Sequence, residues 1–302
     1  MQSLVLEIVN AHRAQLQGLI EIGGVRKLAV LYERAQQELE ARLAGLLRAG
    51  QGQTFQAHHL RMVLVQVQDA LRGFKSGFAA HLRDTSEMAA TLGARHLVGA
   101  IKKLERRFSG VEPILRVEEA GVFQGMYAGI EPSLLARHNH LVARYPLETI
   151  RRVEGQLSQS LLSNETVDQA TNRIIGAGGI FGRERYRAER IVRTETSFSY
   201  GVVQQASGRE LLHQIPKLMK RLIATFDSRT GDDSKELNGQ TVPWSEPFIW
   251  MKKTKHGVER IAYQMPPNRC QDRECVVPWR PEYGMGKPPQ AGPVTPRMPG
   301  GL

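Results

Sequence analysis

Apolar residues in the first third of the chain recur at helical spacing. The longest stripe, Leu60, Leu64, Val67, Leu71, Phe74 and Phe78, steps strictly by four and three. Such a stripe lies along one helix face and fits a partner helix, either inside an antiparallel bundle or in another subunit. Two helices are expected before it. Residues 1–22 form one, stopped by Gly23-Gly24, and residues 25–49 form the next, with Leu28, Leu31, Tyr32, Ala35, Leu39, Leu43 and Leu46 on one stripe and Gly50 after it. The striped helix starts near Thr54, continues through Leu92, Leu97, Ile101 and Leu104, and ends near Ser109-Gly110. No proline precedes Pro113, so nothing in this stretch interrupts long helices.

Residues 111–180 read as helices divided by Pro113, Pro132 and Pro146. Thr166-Val167-Asp168-Gln169 has capping-box spacing, in which hydroxyl and amide satisfy backbone N–H groups reciprocally. The run Gly176-Ala177-Gly178-Gly179 follows. A nucleotide-binding loop would need a third glycine where Phe181 stands and a preceding strand, so the run is expected to break a helix and nothing more. From Arg183 to Ser207 one further helix is expected, capped by Gly208.

Four short strands then fit the pattern, at Ile223–Phe226, Gln240–Val242, Phe248–Met251 and Arg260–Tyr263, separated by glycine and proline turns. The fold class expected is a mainly α N-terminal region followed by a compact α+β C-terminal domain. By composition the chain divides into a helical bundle or coiled-coil-like region (1–110), a helical linker region (111–180), an α+β domain (181–284) and an extended tail (285–302).

Charge changes the picture at both ends. The net charge is +11, and residues 1–110, 111–180 and 181–302 carry +6, −2 and +7. A polyanionic partner such as double-stranded DNA is one reading and ordinary solubility charge the other. Lys217, Lys220 and Arg221, then Lys252, Lys253 and Lys255, are concentrated and lack near carboxylates, which makes them the candidates for phosphate contact. Arg183, Arg185, Arg187, Arg190 and Arg193 spread over several helix faces beside Glu184 and Glu189, and read as a solvated face with local ion pairs. No run approaches the length of a membrane span, and the amphipathic N-terminus reads as neither signal peptide nor anchor. The two cysteines, Cys270 and Cys275, build no disulfide framework and point to folding in a reducing cytoplasm. With His256 they are the candidate metal ligands, a set short of the four that structural zinc takes, so no cofactor is expected.

One ordered series of short motifs adds what periodicity does not. Arg193-Thr194-Glu195, Asp227-Ser228-Arg229-Thr230, Leu237-Asn238-Gly239, Pro266-Pro267 and the two cysteines follow one another over about eighty residues, in an order that resembles the phage Mu F-like minor head protein family, also called the phage head morphogenesis domain. Members of that family follow DxRT with a histidine and close with a histidine and two cysteines. Here Ser234 stands at the first place, and the closing segment PPNRCQDREC has no histidine, which weighs against a metal site.

The resemblance implies a virion component: a minor capsid or head morphogenesis protein of a tailed phage or prophage, taking part in capsid assembly. It would dock on the portal protein, or on capsid or scaffolding proteins of the inner shell, and contact DNA during packaging or ejection. Its place would be the capsid interior or portal vertex, after assembly in the host cytoplasm. In the family fold the RTE helix lies near DxRT, so Arg193, Glu195, Asp227 and Arg229 are expected to form a structural polar network, and no catalytic residue is expected. Two alternatives are a toxin-like nuclease or transferase using Glu195, Asp227 and Arg229, and a sequence-nonspecific DNA-binding accessory protein.

Overall fold

A computed structural model describes residues 2–115, 120–176, 178–226, 228, 230–266, 274–284 and 294–299. The helices are α1 (Gln2–Gly18), α2 (Arg26–Gly50), α3 (Ala57–Ser109), α4 (Ala120–Leu162), α5 (Val167–Ile175), α6 (Ile180–Glu210) and α7 (Asp232–Leu237). The strands are β1 (Met219–Ile223), β2 (Thr241–Pro243), β3 (Phe248–Thr254), β4 (Gly257–Tyr263) and β5 (Cys275–Trp279). Long helices thus come first and short antiparallel strands last, as the mainly α then α+β reading requires.

Compactness follows spatial neighbours and cuts across the sequence regions. One unit, here the helical unit, comprises Gly24–Asp84 and Leu135–Val192; the other, the mixed unit, comprises Met1–Gly23, Thr85–Leu134 and Arg193–Leu302. In the helical unit, the four-three stripe points inward: Val67, Leu71, Phe74 and Phe78 are buried, and Leu60 and Leu64 half-buried. Their neighbours are Leu28, Tyr32, Leu39 and Leu43 of α2, Tyr145, Val153 and Leu157 of α4, and Val167 and Ile174 of α5. The partner helices of the stripe are therefore intramolecular. Thr166 and Gln169 form the expected capping box at the start of α5, with Gln169 N donating to Thr166 Oγ1 at 3.3 Å and Thr166 N to Gln169 Oε1 at 2.9 Å.

In the mixed unit the three-stranded antiparallel sheet has the order β2-β1-β5, and β3 and β4 form a separate two-stranded ribbon. Leu97, Ile101, Leu211, Leu222, Leu237, Trp244, Phe248 and Val276 make one core cluster. Val5, Ile8 and Val9 of α1 share a second with Ile223, Cys275, Val277 and Tyr283. Of the tail expected to run extended, the described residues 294–299 have no regular secondary structure, and Arg297 N donates to Ala14 O at 2.8 Å.

Four expectations change. The strand expected at Ile223–Phe226 lies earlier in the chain, as β1 at Met219–Ile223. Gly23-Gly24 does not stop a helix, because both glycines lie within a π-helical turn, Leu19–Val25, that joins α1 to α2. Neither Pro132 nor Pro146 divides a helix, for α4 runs through both. Each proline removes one backbone donor, which is tolerable where flanking residues are packed or carbonyls find other donors. Beside Pro146 both Tyr145 and Thr149 are buried. Gly208 does not cap α6, which continues to Glu210. A Cβ there would fall 1.7 Å from the Trp244 indole, so this glycine lets the ring lie against bare backbone. The ring is fixed by Trp244 Nε1 donating to Gln205 O at 2.8 Å and Gln205 Nε2 to Trp244 O at 2.6 Å.

Candidate functional site

Arg193 and Glu195 lie on α6 within the mixed unit. Arg193 makes a two-pronged ion pair with Glu21, Nε to Oε1 at 3.1 Å and Nη2 to Oε2 at 3.0 Å, and this fixes α6 against the π-helical turn. Nothing in the sequence marked Glu21 as a partner, since it stands far away along the chain. Glu195 is only 2% exposed. Asp227 and Arg229 lie outside the described residues. Near them, Thr230 Oγ1 donates to Thr225 O. Asn238 Oδ1 accepts from Ala224 N at 2.9 Å, and Gly239, at a φ of +83°, sends its N–H to Leu222 O at 2.7 Å. Leu237-Asn238-Gly239 is thus a clasp that fastens the end of α7 onto β1, with glycine at the position whose backbone is left-handed.

The basic candidates separate into two groups. Lys220 and Arg221 are inside the fold, not on its surface, and so are not available to phosphate. β1 is the middle strand of its sheet and is covered on both faces, which buries four consecutive residues, Lys220 to Ile223. Lys220 is 0% exposed; its Nζ donates to Gln205 Oε1 at 3.0 Å and Gln264 O at 2.6 Å, and lies 5.2 Å from the centre of the Phe248 ring. Burial, assisted by Arg209, lowers its pKa to about 8. The Arg221 guanidinium lies over Trp279 at 5.9 Å.

Lys217, by contrast, is exposed, and so are Lys252, Lys253 and Lys255 on the β3–β4 ribbon, where every residue from Met251 to Arg260 is open to solvent. The ribbon's base is anchored. Phe248 is buried, Gln240 exchanges two hydrogen bonds with the Ile249 backbone at 2.6 and 2.9 Å, and Trp250 Nε1 donates to Glu236 at 2.9 Å.

Of the candidate metal ligands, Cys270 lies outside the described residues. Cys275 is buried in β5, and burial pushes its thiol up to about 12, so it is no thiolate at neutral pH. His256 is exposed at the ribbon turn. Among the described residues no group of three His, Cys, Asp or Glu side chains is placed to hold a metal ion.

Two constellations escaped the sequence reading. In the helical unit the buried Glu184 accepts from Thr149 Oγ1 at 3.0 Å, Arg152 Nη1 at 2.5 Å and Arg187 Nη1 at 3.2 Å, while Arg187 also pairs with Glu148. Arg187 and Glu184 are the i,i+3 pair that helical spacing offers, but Arg152 and Thr149 arrive from α4 and leave no local signal. In the mixed unit the rings of His12 and His96 stack at 3.9 Å with 3° between their planes. His96 Nδ1 lies 3.0 Å from Tyr200 Oη and Nε2 lies 2.6 Å from Gln15 Oε1. Burial lowers His96 to about 3 and holds His12 well below the usual histidine range, which keeps the pair neutral at physiological pH.

The glycine run opens onto a polar groove of about 460 Å³ in the helical unit, lined by Gln156, Gln169, Asn172, Arg173, Gly179 and Arg183 among others. The Arg173 charge there is taken up by a two-pronged pair with Glu165. Ala177 lies outside the described residues, while Gly178, at a φ of +77°, separates α5 from α6 and so breaks the helix where expected. Compared with protein-family models, with curated proteins and with solved structures, the chain matches none.

Proposed function

We propose that this chain is a minor capsid or head morphogenesis protein of a tailed phage or prophage, docking on the portal or the inner shell and acting as a binding module without catalysis. The observation that carries the reading is that motifs in the family's order have distinct fastening roles within one compact unit. Arg193 of the RTE segment ties α6 to Glu21, Thr230 of DSRT closes back on Thr225, and Asn238 and Gly239 clasp β1. Residues with such roles tolerate little substitution, because each satisfies backbone groups or a charge that its loss would strand.

Of the two carboxylates the nuclease or transferase alternative would use, Glu195 is buried, and Asp227 lies outside the described residues. Co-expression with the cognate portal protein tests the reading. A stable complex on affinity capture is expected, with the portal folding equally well alone. No capture at micromolar concentration, in both low and moderate salt, overturns portal docking.

A further inference from the structure

We infer that the β3–β4 ribbon is a duplex-DNA contact that enters the major groove, with Lys253, Lys255 and Arg260 meeting phosphates and Lys252 in support. This deepens the head-assembly reading by assigning the nucleic-acid contact to one element, and its test is independent of portal capture.

Met251 pairs with Arg260, Lys252 with Glu259, Lys253 with Val258 and Thr254 with Gly257. Directly opposed residues share a face, so Met251, Lys253, Val258 and Arg260 lie together on one side. Both apolar members are open, Met251 at 51% and Val258 at 60%. Monomeric surfaces carry isolated apolar residues without consequence, but here two sit beside two cations at the free end of an anchored ribbon. Residues 251–260 hold Lys252, Lys253, Lys255 and Arg260 against Glu259 alone. Lys252 is partly committed, with its ammonium 5.9 Å from the Trp250 ring and Glu259 opposite.

Dimensions select the groove. The four open rungs reach about 10 Å from base to turn, on a backbone about 5 Å across. A two-stranded ribbon fits a major groove about 12 Å wide and 8.5 Å deep, whereas a minor groove about 6 Å wide excludes it once lysines are added. Cations at the edges then face the phosphate walls while Met251 and Val258 touch the floor. Such contacts neutralise charge and read little sequence. A protein edge strand is the less suited partner, because lysines along a strand oppose edge-to-edge pairing.

The test is fluorescence anisotropy of the full chain on two unrelated DNA duplexes of about 20 base pairs at rising salt. Similar affinities are expected for both, with log affinity falling against log salt at a slope of about −3 to −4 for three to four neutralised phosphates. The double variant K253E/R260E should bind at least tenfold more weakly and flatten the slope by about two. K75E, a charge reversal at an exposed position of α3 in the helical unit, should lose less than threefold. K255E, at the turn, serves as a second ribbon variant should the double one fail to match the wild-type near-ultraviolet circular dichroism.

Four results overturn the inference: no binding at low salt, equal losses for ribbon and off-ribbon variants, equal affinity for an RNA duplex, whose major groove is too narrow for side chains to read, or loss of portal capture in the ribbon variants. Loss of DNA binding with portal capture retained supports it and leaves the head-assembly reading untouched.

Discussion

Each compact unit buries a charged side chain, and the two are stabilised in opposite ways. In the helical unit Glu184 is met by counter-charges, the guanidinium groups of Arg152 and Arg187. In the mixed unit Lys220 is met by neutral groups, two carbonyl-type oxygens and the face of Phe248. Balance by charge makes each partner dependent on the other, and removing one strands the rest. Balance by dipoles leaves the proton free to go, because the neutral amine loses little in that setting and escapes the desolvation penalty. The first arrangement is expected to be sensitive to mutation and the second to pH.

The largest expected effect is therefore Glu184→Ala, which leaves two arginines without their shared carboxylate. Arg152 reaches solvent, so the cost belongs at the lower end of the range for broken buried pairs, about 3 kcal/mol. Urea denaturation measures it, and Glu184→Gln, which keeps an acceptor for Thr149, should lose less. Equal stability of Glu184→Ala and wild type would erase the contrast between the units.

Next comes the pH response of Lys220. Its folded pKa of about 8 lies below the ordinary lysine value of 10.5, so between those values the unfolded chain holds more protons than the folded one. Lys220 alone then adds stability as pH rises, about 1 kcal/mol from pH 8 to 9, while Cys275 and the buried tyrosines, whose pKa values are raised in the fold, pull the other way as they ionise in the unfolded chain. Lys220→Met should flatten that rise, whatever its effect at neutral pH. A rise that persists in Lys220→Met would assign it to another group. The smallest effect is Thr166→Ala, which removes a neutral cap in the helical unit. It should cost about 1 kcal/mol, with no pH dependence over the same window.

What was legible in the sequence was what is written locally. The four-three stripe, the capping box at Thr166 and Gln169, and the ribbon strands at Phe248 and Arg260 are each encoded within a dozen residues, and each is found where expected. The failures are non-local. Lys220 looked like a surface cation because a middle strand buried on both faces shows no alternation, and nothing near it announces Gln205 or Gln264. Pro132 and Pro146 looked like breaks because the packing that carries α4 through them comes from other elements. Gly208 looked like a cap, and only the position of Trp244 shows why a side chain is excluded. Strand β5 was not foreseen, with Pro278 in a segment whose partner, β1, precedes it by more than fifty residues. For the basic candidates, charge alone could not separate Lys252, Lys253 and Lys255 from Lys220; burial did.

The chain also carries a built-in optical label. Its three tryptophans, Trp244, Trp250 and Trp279, all fall within the mixed unit, and Trp244 is fully buried against Gly208. Emission excited at the red edge of the absorption band therefore reports on that unit alone, while far-ultraviolet circular dichroism sums the helices of both. Coincident curves would mean that the two units melt as one cooperative system. A dichroism loss that precedes the emission change in Glu184→Ala would show that the helical unit can come apart first, with no engineered probe at all.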